Sequence, residues 1–277
     1  MASQNNLLIC VNSTWLKKMD FNNPVNKRKT DDTVESKFWQ NIANRYTKDF
    51  NINSHTTLVA DKIKSLISPA HSMLEIGAGS GNFTIKLAEH CKSIYCVDFS
   101  LDMICAMHTN LEKHNIHNVF PTWGKFENIT STKQFDYVLS VNSLYRIQDI
   151  SAALSKINDL SKVGFIIVRT IQRSPFFKLY EQLNLDYYCC QDYKLLPLEL
   201  WNLGINANVE YVEYTKKIVY TNLDEIINQI LLEIGAETYN HNITRIQDYI
   251  NSHIQEGTNA IVWNTDCTAV FMYYFKS

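Results

Sequence analysis

Apolar positions along this chain switch between a helical period and short continuous runs. Residues 35–50 place Phe38, Trp39, Ile42, Ala43, Tyr46 and Phe50 at helical spacing. Residues 54–67 form a second amphipathic helix, with Ser54 in position to cap it and Ser68-Pro69 to stop it. Short apolar runs then alternate with helical stretches. Strands are predicted at 73–77, 93–98, 118–123, 135–141 and 164–170, and helices at 82–91, 101–115 and 149–160, with Ser100 placed to cap the second. Apolar strands alternating with amphipathic helices predict a parallel sheet covered on both faces. Beyond 170 the pattern is less regular. It predicts helices at 176–188, 195–203, 223–234 and 244–254, a strand at 209–220, and a final hairpin at 260–263 and 268–275. Residues 1–34 read as a polar, irregular arm with the basic clusters Lys17-Lys18 and Lys27-Arg28-Lys29.

Composition narrows the class. Of the 277 residues, 45 % are apolar and 12 % aromatic, enough to bury a sizeable core, which excludes a disordered or collagen-like chain. With 26 Lys+Arg against 28 Asp+Glu the formal charge is −2, so no global basic field for nucleic acid or acidic membrane exists. No apolar run reaches the roughly 18 residues of a membrane span, and the run at 7–11 is too short for a signal core. A soluble cytoplasmic protein is expected. The 7 cysteines include no CxxC pair and read as reduced, mostly buried thiols. His108, His114 and His117 read as surface histidines around a helix C-terminus, and no metal site is expected.

Only 8 glycines occur, yet Gly77, Gly79 and Gly81 fall together in the run Met73-Leu-Glu-Ile-Gly-Ala-Gly-Ser-Gly-Asn-Phe. A buried strand ends at Gly77, a glycine turn follows, and a helix opens near Asn82. Glycines let backbone pass close beneath a ligand, and a helix N-terminus favours polar or anionic groups. Asp98 ends the second strand, where a carboxylate accepts hydrogen bonds from both ribose hydroxyls of a nucleoside. The dinucleotide pattern G-x-G-x-x-G is not met, because Asn82 follows Gly81. Glu75, just before the turn, suits a ligand with positive charge and would repel a pyrophosphate.

These residues resemble the class I S-adenosylmethionine-dependent methyltransferases. The resemblance rests on Leu74-Glu75-Ile76-Gly77-Ala78-Gly79-Ser80-Gly81, on Val97-Asp98-Phe99-Ser100 and on Phe135-Asp136-Tyr137-Val138-Leu139. It covers about 38–170, and residues 38–46 look like the lead-in helix of small-molecule members. It implies a Rossmann-like, doubly wound α/β fold with a seven-stranded, mostly parallel sheet. The implied organisation is the arm at 1–34, lid helices at 35–72, a cofactor-binding core at 73–170, a helical substrate cap at 171–206, and strands and helices at 207–277 that complete the sheet. S-adenosylmethionine is the implied cofactor and S-adenosylhomocysteine its product. Glu75, Gly77, Ala78, Gly79 and Gly81 would surround its methionine half, Asp98 would hold the ribose, and Phe99 and Met103 would flank the adenine. Lys125 and Phe126 follow strand three, where the family meets the adenine edge, commonly with an acid. Lys125 departs from that pattern, leaving backbone or Glu127 for the contact.

After strand four, Asn142, Tyr145 and Arg146 stand at the carboxyl end of a central strand, where ligands of open α/β sheets bind. With Tyr46 they are the candidate catalytic residues, Asn142 also touching the cofactor. Arg146 reads equally as a partner for an acidic substrate group and as a solvated charge at a helix entry, and Arg169 has the same standing. The Asn/Asp-Pro-Pro-Tyr motif of enzymes acting on amide or adenine nitrogen is missing. The expected activity is methyl transfer to a small molecule, without nucleic-acid or membrane partners. The helix at 35–50 and the aromatics of 171–206 (Phe176, Phe177, Tyr180, Tyr187, Tyr188 and Trp201) are expected to wall a mostly apolar pocket over Asn142, Tyr145 and Arg146, while the stretch with Tyr187, Tyr188, Tyr193 and Trp201 also reads as packing. The rival readings are methylation of RNA or protein, favoured only by the N-terminal basic clusters, a non-catalytic cofactor-binding partner subunit, and a nicotinamide dehydrogenase, disfavoured by Asn82 and Glu75. The sequence leaves the oligomeric state, the substrate and the acceptor atom open.

Overall fold

The computed structural model describes residues 11–19, 27–48, 54–130, 133–172, 174–185, 192–253 and 261–276. Its sheet has seven strands in the order β3-β2-β1-β4-β5-β7-β6. They are β1 (Ser72–Ile76), β2 (Ser93–Asp98), β3 (Val119–Trp123), β4 (Phe135–Val141), β5 (Ser161–Gln172), β6 (Asn208–Tyr220) and β7 (Ile261–Phe275). β1 pairs in parallel with β2 and β4, β2 with β3, and β4 with β5. The chain order therefore reverses between β1 and β4, which opens a crevice at their carboxyl ends. Strand residues such as Leu74, Ile94, Leu139 and Ile166 are buried, as continuous apolar strands between two helical layers require.

The chain divides into two compact units. One holds Met1–Thr170, Gln191–Tyr211 and Ala269–Ser277, and the other Ile171–Cys190 and Val212–Thr268. In the first, the lead-in helix is α3 (Asp32–Lys48), which packs on α6 (Leu101–Lys113), and α4 (Ser54–Leu66) precedes β1. α6 is capped by Ser100, whose hydroxyl accepts from the Met103 N–H. The helix after the glycine turn, α5, is shorter than its pattern predicts, at Thr84–Ala88; at its end the His90 and Cys91 N–H groups both turn back to the Leu87 carbonyl. The second unit has its own core. Phe176, Tyr180, Tyr220, Ile226, Ile230, Tyr239, Tyr249 and Trp263 pack there among α8 (Phe177–Gln182), α10 (Leu223–Ile234), α11 (Ala236–His241) and α12 (Ile243–His253).

Several expectations are corrected. The segment 1–34 is not wholly irregular. It contains α1 (Val11–Met19) and α2 (Lys27–Thr30), and Trp15 of α1 is buried and donates through Nε1 to the Ile147 carbonyl at 2.7 Å. One apolar pair at helical spacing, Val11 and Trp15, suffices to dock a helix that otherwise reads as polar. The final hairpin is one continuous strand, β7. Trp263, Thr265 and Cys267 keep the inward alternation through the polar stretch 264–266 that resembles a turn. The cap at 171–206 is divided. Residues 171–190 belong to the second unit, whereas α9 (Asp192–Asn202) belongs to the first, where it contacts α1 and α7 (Ile150–Leu160). Phe176 and Tyr180 fill the second unit's core instead of walling a pocket, because their burial stabilises it by more than a wet wall position would. Trp201 is 55 % exposed, and Tyr187 and Tyr188 lie outside the described residues. Among the described residues, no helix is long and apolar enough to cross a membrane.

Candidate functional site

The crevice between β1 and β4 is built by glycines in the left-handed region: Gly77 at φ +67°, Gly79 at +57° and Gly81 at +90°. They have different jobs. A Cβ on Gly77 would sit 2.2 Å from the Ser143 Cβ, so this glycine lets the turn after β1 meet the turn after β4. Ser143 seals that approach by donating its hydroxyl to the Ile76 carbonyl at 2.6 Å. A Cβ on Gly79 would meet no protein atom within 4 Å, so this glycine lies beside open space.

Two acids organise the turn. Asp98, nine-tenths buried, accepts from the Gly79 N–H at 2.8 Å through one oxygen and from the Ser100 N–H at 2.9 Å through the other. Burial pushes its carboxyl up, and these two backbone bonds counter that. Its backbone carbonyl accepts from the Gly124 N–H at 2.8 Å, which ties the turn after β3 to the same place. Glu75 lies beneath the turn, fully buried, and accepts from the Thr84 hydroxyl at 2.6 Å. Burial pushes its carboxyl up to about 7, against the Thr84 bond and helped by the Asp98 charge. Ala78 is buried in the turn, and Met103 on α6 and Phe126 after β3 are buried as well. Phe99 is half-buried.

The N-terminal helices close over the loops that follow β3 and β4. Asp32, in the first turn of α3, pairs with Lys125 at 2.5 Å and with Arg146 at 2.8 Å. Burial alone would raise the Asp32 carboxyl, but the two cations outweigh it and hold it below the usual range. The Arg146 guanidinium also lies over the Phe99 ring, 4.7 Å from its centroid. Glu35, one turn on, is completely buried. It accepts from Arg28 at 2.7 and 3.2 Å, from Trp39 Nε1 at 2.8 Å and from the Tyr145 hydroxyl. Burial, then the Glu35 carboxylate beside it, pushes the Tyr145 phenol up. Asn142, in the left-handed region at φ +57°, accepts from the Thr170 N–H at 2.8 Å and from Arg169 at 3.1 Å, and donates to the Thr170 hydroxyl at 2.7 Å. Arg169 also pairs with Asp192 at the start of α9, at 2.8 Å.

The structure thus brings Glu75, Gly77, Ala78, Gly79, Gly81 and Asp98 together around one turn, and Phe99, Lys125, Tyr145 and Arg146 into the contact zone under α3. It differs from the expected apolar pocket, because Asn142, Tyr145 and Arg146 are all held by polar contacts. Tyr46 lies in α3, but its side chain is outside the described residues. Sequence reasoning missed Asp32, Glu35, Thr84 and Ser143. An acid in a helix's first turn is an ordinary dipole residue, so Asp32 and Glu35 carried no distinguishing signal.

Removing the Glu35 carboxylate should free the N-terminal helices. A buried acid with this many donors leaves Arg28, Trp39 and Tyr145 without their acceptor, and truncating such a group costs about 3 kcal/mol. Glu35→Ala is therefore expected to speed hydrogen exchange in α3 at least about a hundredfold, while β1 and β4 amides keep their protection. Equal protection of α3 in both proteins would contradict this arrangement.

A sequence model of the methyltransferase domain matches residues 74–164. A probable cobalt-precorrin-6B C(15)-methyltransferase (decarboxylating) of Methanococcus vannielii is 31 % identical over 107 residues, 38 % of this chain and 56 % of that protein. One of the same name from Methanocaldococcus jannaschii is 28 % identical over 146 residues, 53 % of this chain and 69 % of that protein. The chain thus spans roughly half to two thirds of the length of these relatives. The YcgJ protein of Bacillus subtilis shares the fold at a TM-score of 0.51 and 15 % identity, over 81 % of this chain and 100 % of that one.

Proposed function

We propose that this chain is a class I S-adenosylmethionine-dependent methyltransferase, as the methyltransferase-domain match over residues 74–164 supports, and that it methylates a small molecule at the crevice between β1 and β4. S-adenosylmethionine is the cofactor of the domain, and when bound it supplies an electrophilic methyl group on a sulfonium. The carrying observation is Gly79. Its N–H binds Asp98, while the space its missing side chain would fill stays open beside the turn. In this reading Gly77, Gly79 and Gly81 cradle the methionine half. Glu75 presents negative charge to its cationic groups, and Asp98 holds the ribose. The N-terminal helices, locked through Asp32 and Glu35, keep water out and limit the size of what enters. Methyl displacement needs alignment above all, so the chain's contribution is positioning. The small-molecule reading draws support from the names of the precorrin relatives and from the charge of −2.

The test is label transfer. Purified protein with methyl-labelled S-adenosylmethionine and a cell extract should move label into the fraction below about 1 kDa, the scale of a pocket-bound metabolite. Label found only in RNA or protein would overturn the substrate class.

Asp98→Ala should weaken S-adenosylmethionine binding by about 1.5–3 kcal/mol, the worth of hydrogen bonds to a charged acceptor. Asp98→Asn, which keeps an acceptor for the Gly79 N–H, should retain the turn but lose part of the affinity. Calorimetry showing wild-type affinity for a folded Asp98→Ala protein would sink the ribose assignment.

A further inference from the structure

The two edges of the sheet are built differently. β3 is 5 residues long and carries Pro121, which removes a donor and blunts that edge. β6 is 13 residues long, with no proline, glycine or left-handed residue, and no strand among the described residues pairs with its outer side. A long regular edge is a template for another strand. Its exposed face reads Val209, Tyr211, Glu213, Thr215, Lys217, Val219, with Tyr211 57 % and Val219 60 % exposed.

We propose that β6 pairs antiparallel with β6 of a second copy of this chain, about a two-fold axis at Thr215. In that register Tyr211 faces Val219, Glu213 faces Lys217 and Thr215 faces Thr215. On the other face Val212 meets Ile218. Aromatic on β-branched, opposite charges and Thr–Thr are the cross-strand pairs that stabilise a sheet. Neighbouring registers lose them. With the axis at Tyr214, Lys217 faces Tyr211 and Glu213 faces Thr215. With it at Lys216, Glu213 faces Val219. Parallel pairing in register would set Glu213 on Glu213 and Lys217 on Lys217, which repel. Glu210, the other acid of the strand, is already tied to Lys62 of its own chain at 2.7 Å. An isologous contact closes at two copies, and the blunted β3 edge stops further growth of the sheet. The pairing does not depend on the chemistry at the glycine turn.

Sedimentation of the full chain over about 1–100 μM, the range in which one strand pair of modest area associates, should show a species of twice 32.1 kDa. Glu213→Lys and Lys217→Glu each create like-charge pairs twice over, by symmetry. Each is expected to weaken dimerisation at least about tenfold. The double exchange restores the opposite-charge pairs and should return the wild-type constant. Both positions are exposed, and melting curves verify that the variants fold. Thr215→Cys should form an intermolecular disulfide under mild oxidation, since facing Cα atoms of an antiparallel pair lie within bridging range, whereas Glu213→Cys and the wild-type chain should not. A monomer throughout, a dimer indifferent to the single exchanges, a double exchange without rescue, or a Thr215→Cys chain that forms no link would each overturn the proposal.

Discussion

Replacing Gly79 with valine is expected to abolish S-adenosylmethionine binding in a chain that still folds. Two facts separate this glycine from its neighbours. A Cβ there meets no protein atom within 4 Å, so nothing in the protein has to move. Its φ of +57° costs a β-branched residue about 1–3 kcal/mol, which a domain of this size tolerates. The valine instead fills the space beside the turn that the proposed function gives to the cofactor. Affinity should fall at least a hundredfold, about 2.7 kcal/mol, while the melting temperature drops by only a few degrees. Gly77→Ala should behave in the opposite order. Its Cβ would collide with Ser143 at 2.2 Å, so it is expected to unfold the turn and lower stability first. Normal titration of Gly79→Val would remove the glycine turn as the cofactor site.

Glu75→Gln is expected to separate stability from binding, in a pH-dependent way. The buried carboxyl titrates near 7, against an ordinary value of 4.5 in the unfolded chain. Between those values the folded protein keeps the proton and the unfolded chain releases it, so the Glu75 contribution to stability is complete below 4.5 and lost as pH rises to about 7. Above that the folded state carries a buried charge at a cost of up to about 3 kcal/mol. Glutamine removes the charge. At pH 8 the variant should therefore be more stable than wild type, and the difference should vanish near pH 5. Binding should move the other way, because the proposed cationic ligand loses its counter-charge. Cofactor binding to wild type near pH 7 should also release protons, read as a dependence of the calorimetric heat on buffer ionisation. A stability difference that is constant from pH 5 to 8 would contradict the burial argument.

The core was legible because its determinants are local. Gly77, Gly79, Gly81 and Asp98 sit in short stretches where strand, turn and helix signals agree, and β1 to β5 fall where the apolar runs place them. What the sequence hid depends on distant partners. Glu35 becomes a lock only because Tyr145, 110 positions later, meets it, and α1 docks only through Trp15 on the Ile147 carbonyl. The polar stretch 264–266 resembles a turn, yet inward Trp263, Thr265 and Cys267 hold it in β7. Aromatic side chains serve pocket walls and cores alike, so only the second unit's packing shows that Phe176 and Tyr180, expected in a wall, fill a core.

The most direct test of the central claim is a crystal structure of the chain with S-adenosylhomocysteine. The account predicts the ligand in the crevice between β1 and β4, its ribose hydroxyls on the Asp98 carboxylate and its amino-acid end over Gly77–Gly81 above Glu75. A ligand bound elsewhere, or ribose hydroxyls that avoid Asp98, would contradict it.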